Sequence, residues 1–162
     1  MTASTPTPSK LDPNLTWLFA LGATALAIVV TLALNPLKPG TWKPILGITF
    51  FGAGALAAAA TYLSSARTLG VIGRFAIGAV AVAGFYFWYT KHLLTAGVEA
   101  TASALNTTVT GDVGGFSSAG GTMVAVFVLF AFFFASVSGA VFGGRVRGGL
   151  PKLAARLSGS RA

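Results

Sequence analysis

Four long apolar stretches dominate the sequence, and polar or proline-containing segments separate them. About 20 apolar residues in an α-helix, at about 1.5 Å each, cross the ~30 Å hydrocarbon layer of a bilayer. Each stretch is close to that length, so the pattern predicts an all-α integral membrane protein. The predicted spans form one membrane domain over residues 16–144 and cover residues 16–34, 45–63, 69–90 and 118–143.

The segments between the spans predict how the helices are arranged. A proline-containing segment, residues 35–40, ends the first span, and residues 64–68 form a turn after the second. Short connections make consecutive helices antiparallel neighbours, so we expect a four-helix bundle. Residues 91–121 form the one sizeable connection, which predicts a longer outer loop of about 25 to 30 residues with a short helix inside it.

The composition supports a membrane location and narrows the possible chemistry. The chain has 162 residues, of which 54% are hydrophobic and 9% are charged, whereas soluble domains have about 25% charged residues. Cysteine is absent, which excludes disulfides, thiolate metal sites and cysteine nucleophiles within this chain. The net charge of +8 comes from positive residues that flank the apolar stretches, so we expect membrane lipids as partners and no nucleic acid.

The two ends of the chain are polar and predict tails on the same side of the membrane. Residues 1–15 predict a flexible tail, and residues 145–162 predict a basic tail that forms a helix on the membrane surface. An even number of spans puts eight positive residues on the side of the termini and three on the other side. The positive-inside rule therefore predicts cytoplasmic termini in a plasma membrane. The residues expected to contact anionic lipid headgroups are Arg74, Arg145, Arg147, Lys152 and Arg156.

One pair of polar residues suggests a binding site at the outer boundary of the third span. Lys91 and His92 follow an aromatic run that includes Tyr86 and Trp88. Such a group suits an anionic headgroup, a quinone or one axial haem ligand. We favour the alternative that these residues anchor a helix end in the interface, because lysine and aromatic residues are enriched there. No cofactor and no metal site is therefore predicted, although a bound lipid is compatible with the sequence.

Small residues recur at every fourth position in two of the spans. The second span has Gly54 and Ala58, and the fourth has Ala135, Gly139 and Gly143. Small residues at this spacing let two membrane helices approach closely. The sequence leaves two alternatives open, namely packing between these two helices or docking of another subunit.

The function that these features favour is non-catalytic. Aspartate, glutamate, lysine and histidine are absent from the first, second and fourth spans, and such residues normally mark function inside a membrane. We therefore expect an accessory or scaffold subunit of a larger membrane complex of respiratory, photosynthetic or secretion type, with other membrane subunits as partners. The alternative is a small oligomeric transporter or channel. Its polar lumen would be supplied only in part by the hydroxyls of Thr24, Thr31, Thr49, Thr61, Ser136 and Ser138. A lipid-modifying site around Lys91, His92 and Glu99 ranks third.

Overall fold

The computed structural model describes residues 12–34, 40–109 and 111–159, and for residues 150–159 it describes the backbone alone. The described chain is helical, with a short 3₁₀ turn at Pro13–Leu15 followed by four long helices. These are α1 (Thr16–Leu34), α2 (Trp42–Leu63), α3 (Thr68–Ala104) and α4 (Val113–Gly159). All four are long and apolar enough to cross a membrane.

The helices run alternately up and down in one bundle. In order around it they are α1, α2, α4 and α3, with α1 and α4 at opposite corners. One end of the bundle, here called the arginine end, holds Arg67, Arg74, Arg145 and Arg147. The other end, here called the hairpin end, holds the connections from α1 to α2 and from α3 to α4.

Small side chains fill much of the core and keep the helices close. Alanines from α1, α2, α3 and α4 are almost fully buried, among them Ala27, Ala57, Ala79 and Ala140. A few large side chains fill the remaining volume, and Phe75, Tyr86 and Phe132 are completely buried. The close approach that alanine permits is a common means of packing helices in membranes, where no hydrophobic effect drives them together.

The predicted outer loop of about 25 to 30 residues is wrong, because α3 continues without a break to Ala104, and the short helix predicted inside that loop is the last part of α3. Residues 91–104 include no proline, and several of their hydroxyls bond to the carbonyl one turn back, such as Thr95 to Lys91 and Thr101 to Gly97. The helix ends where Asn106 takes a left-handed conformation, with φ of 50°. The Asn106 and Thr107 N–H groups donate to the carbonyls of Ser103 and Ala102, which is a Schellman C-cap.

The fourth helix is longer at both ends than predicted. It begins at Val113 because Asp112 caps it, and the Asp112 carboxylate accepts a hydrogen bond from Gly115 N–H at 2.8 Å. At the other end it continues to Gly159, so the tail does not form a separate helix after Gly149. The two glycine pairs at 143–144 and 148–149 lower helix propensity without ending the helix.

The last residues of the predicted N-terminal tail form regular structure next to the bundle. Residues 1–11 lie outside the described residues, but Pro13–Leu15 form a 3₁₀ turn that leads directly into α1. Asp12 caps this turn by accepting a hydrogen bond from Asn14 N–H at 2.8 Å. The prediction of a flexible segment up to residue 15 is therefore wrong for its last residues.

The helices differ in length, which gives the bundle an uneven hairpin end. At about 1.5 Å per residue, α1 and α2 are about 29 and 33 Å long, whereas α3 and α4 are about 55 and 70 Å long. Trp42, at the start of α2, lies beside Met123 and Val124 of α4. Residues 91–121 are here called the outer hairpin. The part of α4 before Met123 extends about 15 Å beyond the start of α2.

Candidate functional site

The small residues of α2 and α4 pack against each other within this chain. A Cβ atom added to Gly139 would overlap the Gly54 carbonyl, and one added to Gly143 would overlap the Ala58 carbonyl. A Cβ on Gly54 would lie 3.2 Å from the Ala135 carbonyl oxygen. The backbones of the two helices are therefore nearly in contact, as small residues four apart permit. Of the two alternatives left open by the sequence, the structure places this stripe in internal packing.

Two apolar grooves lie along the seam between α2 and α4, one toward each end of the bundle. The groove toward the arginine end has a volume of about 510 Å³, and Phe51, Ala55, Ser138 and Phe142 are among its lining residues. The groove toward the hairpin end has a volume of about 320 Å³ and includes Trp42. The rings of Phe50 and Phe127, one from each groove, meet edge to face at 6.5 Å.

Arg147 caps α2 and thereby closes the seam at the arginine end. Its NH1 group donates to the backbone carbonyls of Thr61, Ser64 and Ala66, at 3.2, 2.9 and 3.3 Å. The last carbonyls of a helix lack partners within the helix and carry partial negative charge, so a guanidinium there is favourable. The sequence predicted a lipid headgroup contact for Arg147, and the structure instead gives its NH1 group this capping role.

Arg74 joins α3 to the start of α1. Its guanidinium carbon lies 5.6 Å from the centre of the Trp17 ring, and its NH1 group donates to the Pro13 carbonyl. The first contact is a cation–π interaction, which combines with the hydrogen bond to hold the 3₁₀ turn against α3. The prediction from sequence had Arg74 reaching for lipid headgroups, and the structure shows these two protein contacts.

A buried polar cluster joins three helices near the hairpin end. Tyr86 of α3 is completely buried, and its hydroxyl bonds to that of Thr31 on α1. Thr31 donates its own proton to the Ala27 carbonyl at 2.7 Å, so Tyr86 donates to Thr31. Thr49 of α2 approaches the same tyrosine but makes no hydrogen bond of ordinary geometry, although its hydroxyl is buried. The sequence had assigned Tyr86 to an interfacial aromatic belt, and this assignment is wrong.

The hydroxyls predicted to line a lumen are mostly bonded to their own helices. Thr24, Thr61 and Ser136 each donate to the carbonyl four residues earlier, as Thr31 does. A hydroxyl that satisfies a backbone carbonyl in this way offers one fewer donor to a passing solute. Ser138 differs because it is exposed at the rim of the larger α2–α4 groove.

The predicted binding residues at the end of the third span are brought together only in part. The Trp88 and His92 rings stack at 5.9 Å with an angle of 3°, and both side chains are exposed. Lys91 is also exposed, while its Cβ packs beside Gly121 of α4. Tyr86 lies apart from this group, in the core. Across the described residues, no group of three or more histidine or acidic side chains is positioned to hold a metal ion.

The outer hairpin has an open apolar groove of its own. Its volume is about 560 Å³, and it lies between the last turns of α3 and the start of the connection to α4. Leu105 and Val109 in its lining are 67% and 43% exposed. Glu99 is exposed on the same stretch of α3, and Asp112 is committed to capping α4.

Three residues with predicted lipid headgroup contacts, Arg145, Lys152 and Arg156, belong to the last part of α4. Arg145 is exposed on α4, about one turn beyond Phe142, which lines the larger groove. The side chains of Lys152 and Arg156 lie outside the described part of the structure, so their predicted lipid contacts stay predictions.

Sequence reasoning had missed the capping role of Asp112, although an aspartate three residues before Gly115 is a recognisable N-cap signal.

Comparison with protein-family models found no match to this chain, and comparisons with curated proteins and with solved structures also found none.

Proposed function

We propose that this chain is a non-catalytic accessory subunit of a larger membrane complex, and that it binds a neighbouring subunit through the outer hairpin. Four helices of sufficient length and apolar character support insertion in a membrane. The positive residues at the arginine end support a cytoplasmic location for that end in a plasma membrane. The hairpin would then lie on the opposite, outer side.

The observation that carries this proposal is the apolar groove on the outer hairpin. Leu105 and Val109, which line this groove, are 67% and 43% exposed, on a part of the chain that extends beyond the length a bilayer needs. Apolar side chains grouped in this way on a water-facing surface mark a protein contact, because single scattered ones are normal but a contiguous patch is not. A respiratory, photosynthetic or secretion complex would supply such a partner.

A site-specific cross-linking experiment tests this proposal in native membranes. A photoreactive amino acid in place of Leu105 should give one defined adduct with another protein, and one in place of Ala96 should give none. Ala96 is the matched control because it is exposed on the same helix and does not line the groove. In a competition with unmodified subunits, Leu105→Asp protein should be excluded from the complex and Ala96→Asp protein should not.

Two results would contradict the proposal. Equal adducts at both positions would mean that the groove does not select a partner. Labelling of a cysteine at Thr108 only after the membrane is opened would place the hairpin inside the cell and reverse the orientation. A small oligomeric transporter remains the alternative prediction, and saturable solute flux through the purified protein in liposomes would favour it.

A further inference from the structure

We infer that the larger α2–α4 groove binds one anionic phospholipid, with an acyl chain in the groove and the phosphate at Arg145. This inference rests on the proposed insertion in a membrane but is independent of the proposed partner at the outer hairpin. It assigns a specific ligand to a surface at the other end of the molecule.

The groove has the form and chemistry of an acyl-chain site. Its volume is about 510 Å³, and its floor is made of the small residues that bring α2 and α4 together, including Gly54 and Gly139. Phe51 and Phe142 form opposite rims and are 83% and 64% exposed. The floor is apolar and narrow, so it suits a linear chain of methylene groups.

A cation and a phenol follow the lining residues of the groove toward the arginine end, one on α4 and one on α2. On α4, Ser138, Phe142 and Arg145 follow one another at spacings of four and three, and therefore lie on one face of the helix. On α2, Phe51, Ala55 and Tyr62 share a face in the same way. Arg145 and Tyr62 are both exposed, and along their helices they follow the lining residues Phe142 and Ala58 toward the arginine end.

The charges of the chain favour an anion from outside it at Arg145. Two of the described acidic residues, Glu99 and Asp112, belong to the outer hairpin at the opposite end. The third, Asp12, caps the turn before α1, which is diagonally opposite α4. A guanidinium presents donors in a planar fork that matches phosphate, and the phosphate of a lipid lies at the depth where a span ends.

The shape of the groove favours a lipid over another helix. A helix with its side chains is about 10 Å wide, and the Phe51 and Phe142 rims stand on either side of a floor where two backbones nearly touch. A second copy of the chain would meet these rims before it reached the floor. We therefore take a second copy as an outcome that the experiment must distinguish.

Native mass spectrometry of the purified protein, exchanged into defined phosphatidylglycerol or phosphatidylcholine, tests the inference. The wild-type protein should retain one phosphatidylglycerol more strongly than phosphatidylcholine. Arg145→Gln should reduce this preference about ten-fold, which is the ratio that loss of one charged hydrogen bond produces. Ala55→Phe should fill the groove and lower retention of both lipids.

Two matched variants control for charge and bulk. Lys43→Gln removes an exposed cation at the other end of α2, and Ala81→Phe adds a ring at an exposed position of α3 outside the groove. Both should retain phosphatidylglycerol like the wild type. Thermal unfolding in detergent should be the same for all four variants, because each changed residue is exposed.

Three results would overturn the inference. Unchanged lipid preference in Arg145→Gln would remove the headgroup site, and equal competition by inorganic phosphate would show that the groove contributes nothing. A dimer that Ala55→Phe dissociates, with lipid retention unaffected, would assign the groove to a second copy. Release of the protein from membranes by alkaline carbonate would instead contradict membrane insertion. That result is distinguishable from the three results that would overturn the lipid site.

Discussion

The seam between α2 and α4 and the seam between α1 and α3 hold helices together by different means. Gly139 and Gly143 bring the α4 backbone against the carbonyls of Gly54 and Ala58, with no side chain between them. In the α1–α3 seam, side chains make the specific contacts, with Tyr86 bonded to Thr31 and Arg74 placed over Trp17. The α2–α4 seam depends on glycines, which have no side chain to separate the backbones. The α1–α3 seam depends on contacts made by particular polar side chains.

This difference indicates how each seam responds to mutation. A backbone contact cannot yield when a side chain is added, because both helices would have to move apart along their whole length. A hydrogen bond between side chains can be lost while the surrounding packing stays in place. We therefore expect large losses of stability from additions at the α2–α4 seam and small ones from deletions at the α1–α3 seam.

The largest effect is expected for Gly139→Leu. Its Cβ would overlap the Gly54 carbonyl, so the free energy of unfolding in detergent should fall by about 3 kcal/mol. Gly84→Leu is the control, because a Cβ at that position has no atom of another helix within 4 Å. Equal stability of the two variants, measured by thermal or denaturant unfolding, would mean that the backbones are not in contact.

A smaller effect is expected for Arg147→Gln, which leaves the α2–α4 backbone contact intact. The change removes the guanidinium that bonds to the carbonyls of Thr61, Ser64 and Ala66, so unfolding should become easier by about 2 kcal/mol. Arg145→Gln should leave stability unchanged, since Arg145 is exposed. If both variants lose the same stability, net charge and not capping is responsible.

The smallest effect is expected for Tyr86→Phe in the α1–α3 seam. Thr31 keeps its bond to the Ala27 carbonyl, so the loss should be about 1 kcal/mol. A double-mutant cycle with Thr31→Val should give a coupling of about 0.6 kcal/mol, the usual value between membrane helices. Tyr89→Phe is the control, and a coupling near zero would show that the two hydroxyls do not stabilise the seam.

The sequence predicted the number and order of the helices because apolar length alone determines them. The bounds of α1 are those predicted, since its apolar run stops at Asn35 and Pro36. The predicted end of α3 was wrong because Lys91 and His92 were interpreted as a helix end followed by a separate short helix, although residues 91–104 lack proline and are rich in alanine.

The site residues were harder to predict, because their roles depend on partners in other helices. Nothing local to Arg147 indicates that the end of α2 lies within its reach. Tyr86 was recoverable, since it continues the buried face formed by Val71, Phe75, Ala79 and Val82 at spacings of three and four. Residues 85–89 are five consecutive aromatics, and the spacing of the buried face identifies Tyr86 as the one that faces the core.

The unequal lengths of the helices have a consequence for how strongly a partner could be held. On one side α2 begins at Trp42, and on the other side α4 extends for about 15 Å beyond that level as part of the outer hairpin. A neighbouring subunit that binds where these two heights meet would contact a helix within the bilayer and the outer hairpin beyond it at the same time. Once the first contact forms, the second becomes intramolecular, and two individually weak surfaces then act at a high effective concentration. Shortening the hairpin by whole turns would lower that avidity without changing either surface.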